Sequence, residues 1–314
     1  TLVLTTLLSI YLSGAIARPL KKLAKAAEAV RTGKARAEDI PDLSHRHDEI
    51  GELSVVLRLM TEALWDRMDS IEQFAADVSH ELKNPLTSMR SAVETASIVK
   101  KASDRKKLMD IIKHDVERLD RLITDIANAS RIDAELSREA FEKINLRTLL
   151  TNLLNAHAAD PLKRTEDSEQ SWVKTISTGR ATITLNSLTG GEDIQVWGLE
   201  SRLAQVFQNL LSNALSFTPD CGNIAVLIVP LNTKISITIE DQGQGIPENK
   251  LDNVFERFYS ERPDSEDYGQ HSGLGLSICK QIIEAHGGQI FAENVTGENG
   301  KTSGARFTVI LNQL

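Results

Sequence analysis

The chain has 314 residues, room for two or three domains, and its 25% charged and 41% hydrophobic residues are an ordinary globular composition. A net charge of −8 argues against a nucleic-acid-binding surface, which would be basic. Two cysteines, Cys221 and Cys279, make no metal-ligand pattern; a reduced, cytoplasmic setting is expected, with a lone disulfide between them as the alternative.

The sequence begins at Thr1 rather than Met and reads as a piece of something longer. Residues 2–17 carry no charge, a run shorter than the ~20 residues of a membrane span. The cations Arg18, Lys21, Lys22 and Lys25 come after it, the reverse of a signal peptide, and mark a cytoplasmic exit. This predicts the second half of a membrane helix over residues 1–17, with a buried core helix as the alternative that the four cations at its end disfavour.

Two amphipathic helices are expected over Pro19–Val30 and Ile50–Met68. The polar stretch between them, Arg31 to Glu49, holds Gly33 and Pro41 as breakers. Asp48 and Glu49 suit a helix N-terminus, and Leu53, Val56, Leu57, Met60 and Leu64 form a stripe that would be a coiled-coil seam between subunits.

The next helix carries Phe74, Val78, Leu82 and Met89 on one face, with His80 about 200° away from Val78. A neutral imidazole there keeps a lone pair for nucleophilic attack, with Glu81 beside it as a candidate N–H acceptor. Asn84 sits one turn along, where an amide could orient water. Pro85 removes a bond to the Glu81 carbonyl and should bend the helix next to His80. An exposed histidine with an incidental proline fits this stretch equally well. A second helix, about Ser103 to Ile132, carries Leu108, Ile111, Ile112, Leu119, Leu122, Ile123 and Ile126 on one face. Each stripe needs a partner, and two such hairpins would make a dimeric four-helix bundle.

From Glu142 the texture becomes mixed. Helices are expected over Val196–Phe217 and Leu274–His286, and strands over Ile224–Val229, Ile235–Glu240, Gln289–Asn294 and Arg306–Leu311. Asp160 to Gly191 is polar and reads as loop-rich, with one β-like run at Ala181–Leu185.

Four features in this region could carry chemistry. Asn209 and Asn213 share a helix face and could present carbonyl oxygens to a hard cation such as Mg²⁺, although capping or surface asparagines look the same. Asp241-Gln242-Gly243-Gln244-Gly245 follows a strand, so backbone can approach a ligand closely and Asp241 can accept from an exocyclic amine; a tight turn is the plainer reading. As a dinucleotide fingerprint it fails, because Glu248 stands where the third glycine belongs. Val254 to Tyr259 forms an aromatic cluster ahead of the loop Ser260–Ser272. Gly273-Leu274-Gly275-Leu276 then opens a helix whose free N–H groups suit phosphate. Gly300-Lys301-Thr302 is no P-loop, since Val295 occupies the required glycine position; it reads as a hairpin turn.

Taken in this order, and downstream of His80-Glu81-Leu82-Lys83-Asn84-Pro85, these features resemble the membrane-bound sensor histidine kinases of bacterial two-component systems. The run Phe255 to Gly275 is most similar to the ChvG-type kinases of alphaproteobacteria. The resemblance implies a multidomain protein: an all-α HAMP linker over 18–70, a dimeric four-helix-bundle phosphotransfer domain over 71–141, and an α/β sandwich ATP-binding domain of the Bergerat type over 142–314. It implies His80 as phosphoacceptor, Glu81 as its acid–base partner and Asn84 as the residue positioning water for dephosphorylation. Asn213, with Asn209 nearby, would bind Mg²⁺, and Asp241 would read the adenine amine of ATP. Gly243, Gly245, Gly273 and Gly275 would frame the nucleotide, and Phe217, Phe255, Phe258, Leu274 and Leu276 would complete its pocket. The implied partners are a second copy, the inner membrane and a cytoplasmic response regulator of the OmpR-like kind, with no direct contact to nucleic acid. Two departures stand out: Ser216 and Ser260 replace basic residues common in the family, which should weaken phosphate contacts unless Lys280 or Arg262 substitutes. A phosphatase-dominant protein and a nucleotide-binding scaffold are the rival readings.

Overall fold

The computed structural model describes residues 1–136, 139–158, 160–167, 172–188, 194–259, 273–297, 300 and 302–314. The loop Ser260–Ser272, with Arg262, and Lys301 lie outside them. The chain forms two compact units, 1–80 and 81–314.

In the first unit α1 (Leu2–Leu12) passes through a π-helical turn (Ser13–Ala17) into α2 (Arg18–Arg31). Leu2–Arg31 is long and apolar enough to cross a membrane. The following connector folds onto a long helix, α3 (Glu49–Ile98), through buried Ala35 and Ile40. Buried Ser54 fixes the contact: its hydroxyl donates to the Pro41 carbonyl (2.6 Å) and accepts from Leu43 N–H (3.1 Å). Trp65 Nε1 donates to the Ala35 carbonyl (3.0 Å), with the Arg36 guanidinium over its ring at 4.8 Å. Arg46 pairs with Asp48 and donates to the Ala15 carbonyl (3.0 Å) in the π-helical turn, where irregular winding alters backbone pairing. Asp48 also accepts from Gly51 N–H (3.1 Å), closing the start of α3.

The helices expected separately over Ile50–Met68 and around His80 are one element. α3 runs 50 residues and continues through Pro85, which is buried. Many exposed apolar side chains mark its length, among them Leu53, Val56, Met60, Leu64, Ile71, Leu86 and Val93.

The second unit contains the end of α3, then α4 (Ala102–Leu136) and the mixed region. β1 (Glu142–Asn145) leads into α5 (Leu146–His157), whose first turn is capped by Asn145 accepting from Thr148 N–H at 3.1 Å. β2 (Asp160–Asp167), β3 (Trp172–Ser177) and β4 (Thr182–Ser187) follow. Among the described residues of the segment expected to be loop-rich, Asp160–Gly191, most belong to these strands, while 168–171 and 189–191 lie outside the described residues. The polar residues belong to paired strands, in which Ile176, Ile183 and Leu185 supply the buried positions and polar residues the alternate ones. β5 (Gln195–Gly198) pairs antiparallel with β1, so the helix expected from Val196 starts only at Glu200. Cross-strand pairing there overrides an apolar rhythm that runs on into α6 (Glu200–Phe217).

β6 (Asn223–Leu231), β7 (Lys234–Glu240), α7 (Gly275–Ala285), β8 (Gln289–Thr296) and β9 (Thr302–Asn312) complete the unit. The large sheet has the order β2-β3-β4-β6-β7-β9-β8, antiparallel except for β4 and β6. Alternate residues of its strands (Ile224, Val226 and Ile228; Ile235, Ile237 and Ile239) meet Leu203, Phe207 and Leu210 of α6 and Ile278 and Ile282 of α7 in one core. Ile126 and Ala129 of α4 pack against that core as well.

Phe207 is fully buried at its centre. Phe207→Ala should cost about 3–5 kcal/mol of this unit's stability, read from denaturant unfolding.

Candidate active site

His80 is exposed, as its position opposite the apolar seam requires. Glu81 is half-buried, and its carboxylate is held by Arg118 of α4 at 3.1 Å, with both side chains about a quarter exposed (25% and 27%). The sequence reading gave Glu81 one partner, His80; the structure adds a cation from the neighbouring helix. Asn84 is exposed one turn along.

The mixed unit builds a second constellation at the end of β7. Asp241 is buried, and Oδ1 accepts from Gly243 N–H (2.8 Å) and from Ala305 N–H of β9 (3.1 Å). Its own N–H donates to the Ala305 carbonyl (3.0 Å). Among the described residues both side-chain hydrogen bonds fall on Oδ1, which leaves Oδ2 as an acceptor. Burial pushes this carboxyl above its usual range, against the pull of the two N–H groups. With the folded-state value raised above the unfolded one, ionisation costs stability; the cost sets in as pH climbs past the unfolded value and is complete above the folded one.

The glycines are required by space. A Cβ on Gly243 would lie 2.9 Å from both the Asp241 carboxylate and the Phe217 carbonyl. Gly245 has φ +77° and sits against Asn294, and a Cβ on Gly304 would overlap the Asp241 carbonyl. Gly273, at φ +74°, packs on the backbone of Phe258, itself at φ +61°; a Cβ would lie 2.7 Å from the Phe258 carbonyl carbon. Phe258 and Gly273, described residues on either side of 260–272, therefore pack against each other.

Leu274 is buried, and Gly275 starts α7 with no side-chain cap among the described residues, so the first turn offers N–H groups to an anion. Asn209 Nδ2 donates to the Gly275 carbonyl (3.3 Å), which ties α6 to the start of α7 and leaves the amide oxygen as an acceptor. Asn213 is half-buried one turn on, as are Phe217, Phe258 and Leu276. Phe255 differs in kind: it is a core residue, edge-on to Phe307 at 6.2 Å.

Sequence reasoning missed three residues. Arg118 lies on a helix for which the sequence pattern singled out only the apolar stripe. His286 is buried, stacks on Phe141 at 4.8 Å, takes Leu199 N–H on Nε2 (3.1 Å) and bonds the Ile282 carbonyl through Nδ1 (2.7 Å). Those partners fix a neutral ring with the proton on Nδ1, and burial lowers its pKa. Asn294 follows Ile290 and Ala292 on the covered face of β8, and a polar residue in that apolar series was the legible signal.

Three family profiles match in chain order: the HAMP domain over residues 11–66, the His Kinase A (phospho-acceptor) domain over 70–135, and the histidine kinase-, DNA gyrase B- and HSP90-like ATPase over 198–313. Sensor protein ChvG of Rhizobium meliloti is 48% identical over 312 residues, covering 97% of this chain and 51% of that protein. Sensor protein ChvG of Agrobacterium fabrum is 47% identical over 305 residues, covering 97% and 49%. The chain thus spans about half the length of these curated relatives. Among solved structures, histidine kinase ThkA in complex with response regulator protein TrrA shares the fold, with a TM-score of 0.54 and 23% identity over 79% of this chain and 64% of that one. With its domains in the order HAMP, HisKA and HATPase_c, the chain belongs to the sensor histidine kinases and has the ChvG sensor proteins among its relatives.

Proposed function

We propose that this chain is the signalling part of a dimeric, membrane-anchored histidine kinase that phosphorylates His80 and passes the phosphoryl group to an aspartate of a response regulator of the OmpR-like kind. The observation that carries the reading is the Asp241 turn: a buried carboxylate bonded through Oδ1 and two glycines with no room for a Cβ, beside a helix start at Gly275 with no side-chain cap among the described residues. These residues fit ATP. Asp241 would accept from the adenine amine, the Gly243–Gly245 turn would admit the nucleotide along its backbone, and the first turn of α7 would face phosphate. Asn213, with Asn209 beside it, would hold Mg²⁺ together with phosphate oxygens; Mg²⁺ keeps few protein ligands in such sites.

When bound, ATP·Mg²⁺ supplies a γ-phosphoryl group with its charge partly neutralised. The protein's task is then positioning. His80 presents an imidazole lone pair from an exposed helix face, and Glu81 can accept the proton of the other ring nitrogen. In the present arrangement Arg118 holds that carboxylate, so its use at His80 requires the ion pair to open or be shared. Asn84 would orient the water that later removes phosphate from the regulator. The exposed apolar residues along α3 support the homodimer, since a second copy offers the matching stripe. The HAMP match and the helix Leu2–Arg31 support attachment to the inner membrane, with the remainder on its cytoplasmic side.

Incubation with γ-phosphate-labelled ATP and Mg²⁺ should give acid-labile, alkali-stable label that is absent from His80→Gln. A chain that binds ATP yet stays unlabelled would point to the phosphatase-dominant or scaffold reading. Nucleotide affinity should also fall as pH is lowered, starting at a higher pH than an exposed aspartate near 3.9 would allow. The sign follows from the raised value at Asp241: above it Oδ2 is a pure acceptor, and below it a proton competes with the adenine amine. Titration of ADP across pH checks this, with Asp241→Asn giving the part that belongs to the ligand's own phosphates.

A further inference from the structure

The turn Gly243–Pro247 is held at both ends, and only the first hold comes from Asp241. At the far end Ile246 N–H donates to Asn294 Oδ1 (2.7 Å), and Asn294 Nδ2 donates to the Ile246 carbonyl (2.6 Å). One side-chain amide thus satisfies both backbone groups of one residue, the exchange that a paired strand residue would provide. Ile246 sits between Gly245, at φ +77°, and Pro247, which has no N–H to offer. Without Asn294 neither polar group of Ile246 has a partner among the described residues.

The placement of Asn294 is equally specific. It lies on β8 opposite Ala305 of β9, the residue whose N–H and carbonyl bind Asp241. Asp241, Ala305 and Asn294 therefore form one row across three neighbouring chain segments, with the turn bridging its two ends. A Cβ on Gly245 would overlap Thr302 Cγ2 and meet Asn294 Oδ1 at 2.7 Å, so the amide is one of the groups against which the turn packs.

We propose that Asn294 is a positioning residue for nucleotide binding: through Ile246 it fixes the backbone of the Gly243–Gly245 turn in the shape that receives the nucleotide. It acts on the turn and not on the ligand, and the proposal rests on the reading of this turn as the ATP site.

The test uses the whole chain with ADP and ATP as probes. Asn294→Asp keeps the size and the acceptor for Ile246 N–H, but sets a carboxylate oxygen against the Ile246 carbonyl. Two mispaired groups at the turn should raise the Kd for ADP and the KM for ATP roughly tenfold, and leave the labelling rate at saturating ATP within about twofold. Asn294→Ser, too short to reach both groups, should weaken binding in the same way and stands in if the aspartate variant does not fold. Unchanged Kd and KM in either folded variant, whatever the melting temperature does, would overturn the proposal, as would a fall in saturating rate at unchanged KM. Asp241→Asn separates the two levels. If that variant binds ADP as the parent does, the ATP-site reading fails and the proposal fails with it; if it loses binding while the Asn294 variants keep theirs, only the role of Asn294 is lost.

Discussion

A carboxylate buried where β7 ends accepts one N–H from its own turn and one from the neighbouring strand β9, and that pair of bonds joins the sheet to the site. Removing Asp241 from water is unfavourable, and the two backbone donors are what make the position tenable. Much of the local sequence follows from this tie. Gly304 has to be small because β9 runs against the Asp241 carbonyl, and Gly243 because the turn folds back onto the same carboxylate. The sheet edge is drawn in through Asn294, which completes the far end of the turn. A ligand-binding loop is usually the least constrained part of a domain; here its backbone is bound to two strands before any ligand arrives.

The helical part obeys a different constraint. α3 displays apolar side chains between Leu53 and Val93 that are exposed among the described residues, while its polar face carries His80 and Asn84. A helix with this division asks for another helix, and His80 and Asn84 sit on the side such packing would leave open. Glu81 stands at the margin between the two faces, half-buried and paired with Arg118. A change in how α3 and α4 pack would bear directly on that carboxylate.

Much of this was legible in the sequence because it depends on short-range rhythm. The stripes of α3 and α4, the strands β6, β7, β8 and β9, and the glycine-containing turns all carry their period or punctuation locally. What escaped was decided by partners distant in the chain. Val196 and Trp197 continue the apolar rhythm of α6, yet they pair with Glu142–Asn145 as a strand. The polar segment after Asp160 becomes β2 to β4 because the antiparallel strands supply each other's hydrogen bonds. Pro85 was expected to bend the helix beside His80, and α3 runs on through it as one element of fifty residues. In the site, residue types were readable and second partners were not: nothing near Glu81 in sequence announces Arg118, and nothing near Gly245 announces Asn294. Phe255 was legible as aromatic, but its place in the core beside Phe307 comes from the fold.

The position of β9 has a consequence for how the protein is made. It is the last of the described strands in chain order, yet it lies inside the sheet between β7 and β8, pairing with both along most of its length. A growing chain can form α3 and α4 from local contacts as they are synthesised, whereas the sheet must wait for a strand that arrives after everything it pairs with. Until then β7 and β8 each lack their shared neighbour, and Asp241 lacks one of the two donors that make its burial tolerable. The turn after Asp241 therefore cannot be complete until β9 has been synthesised, by which time the helix that carries His80 already stands.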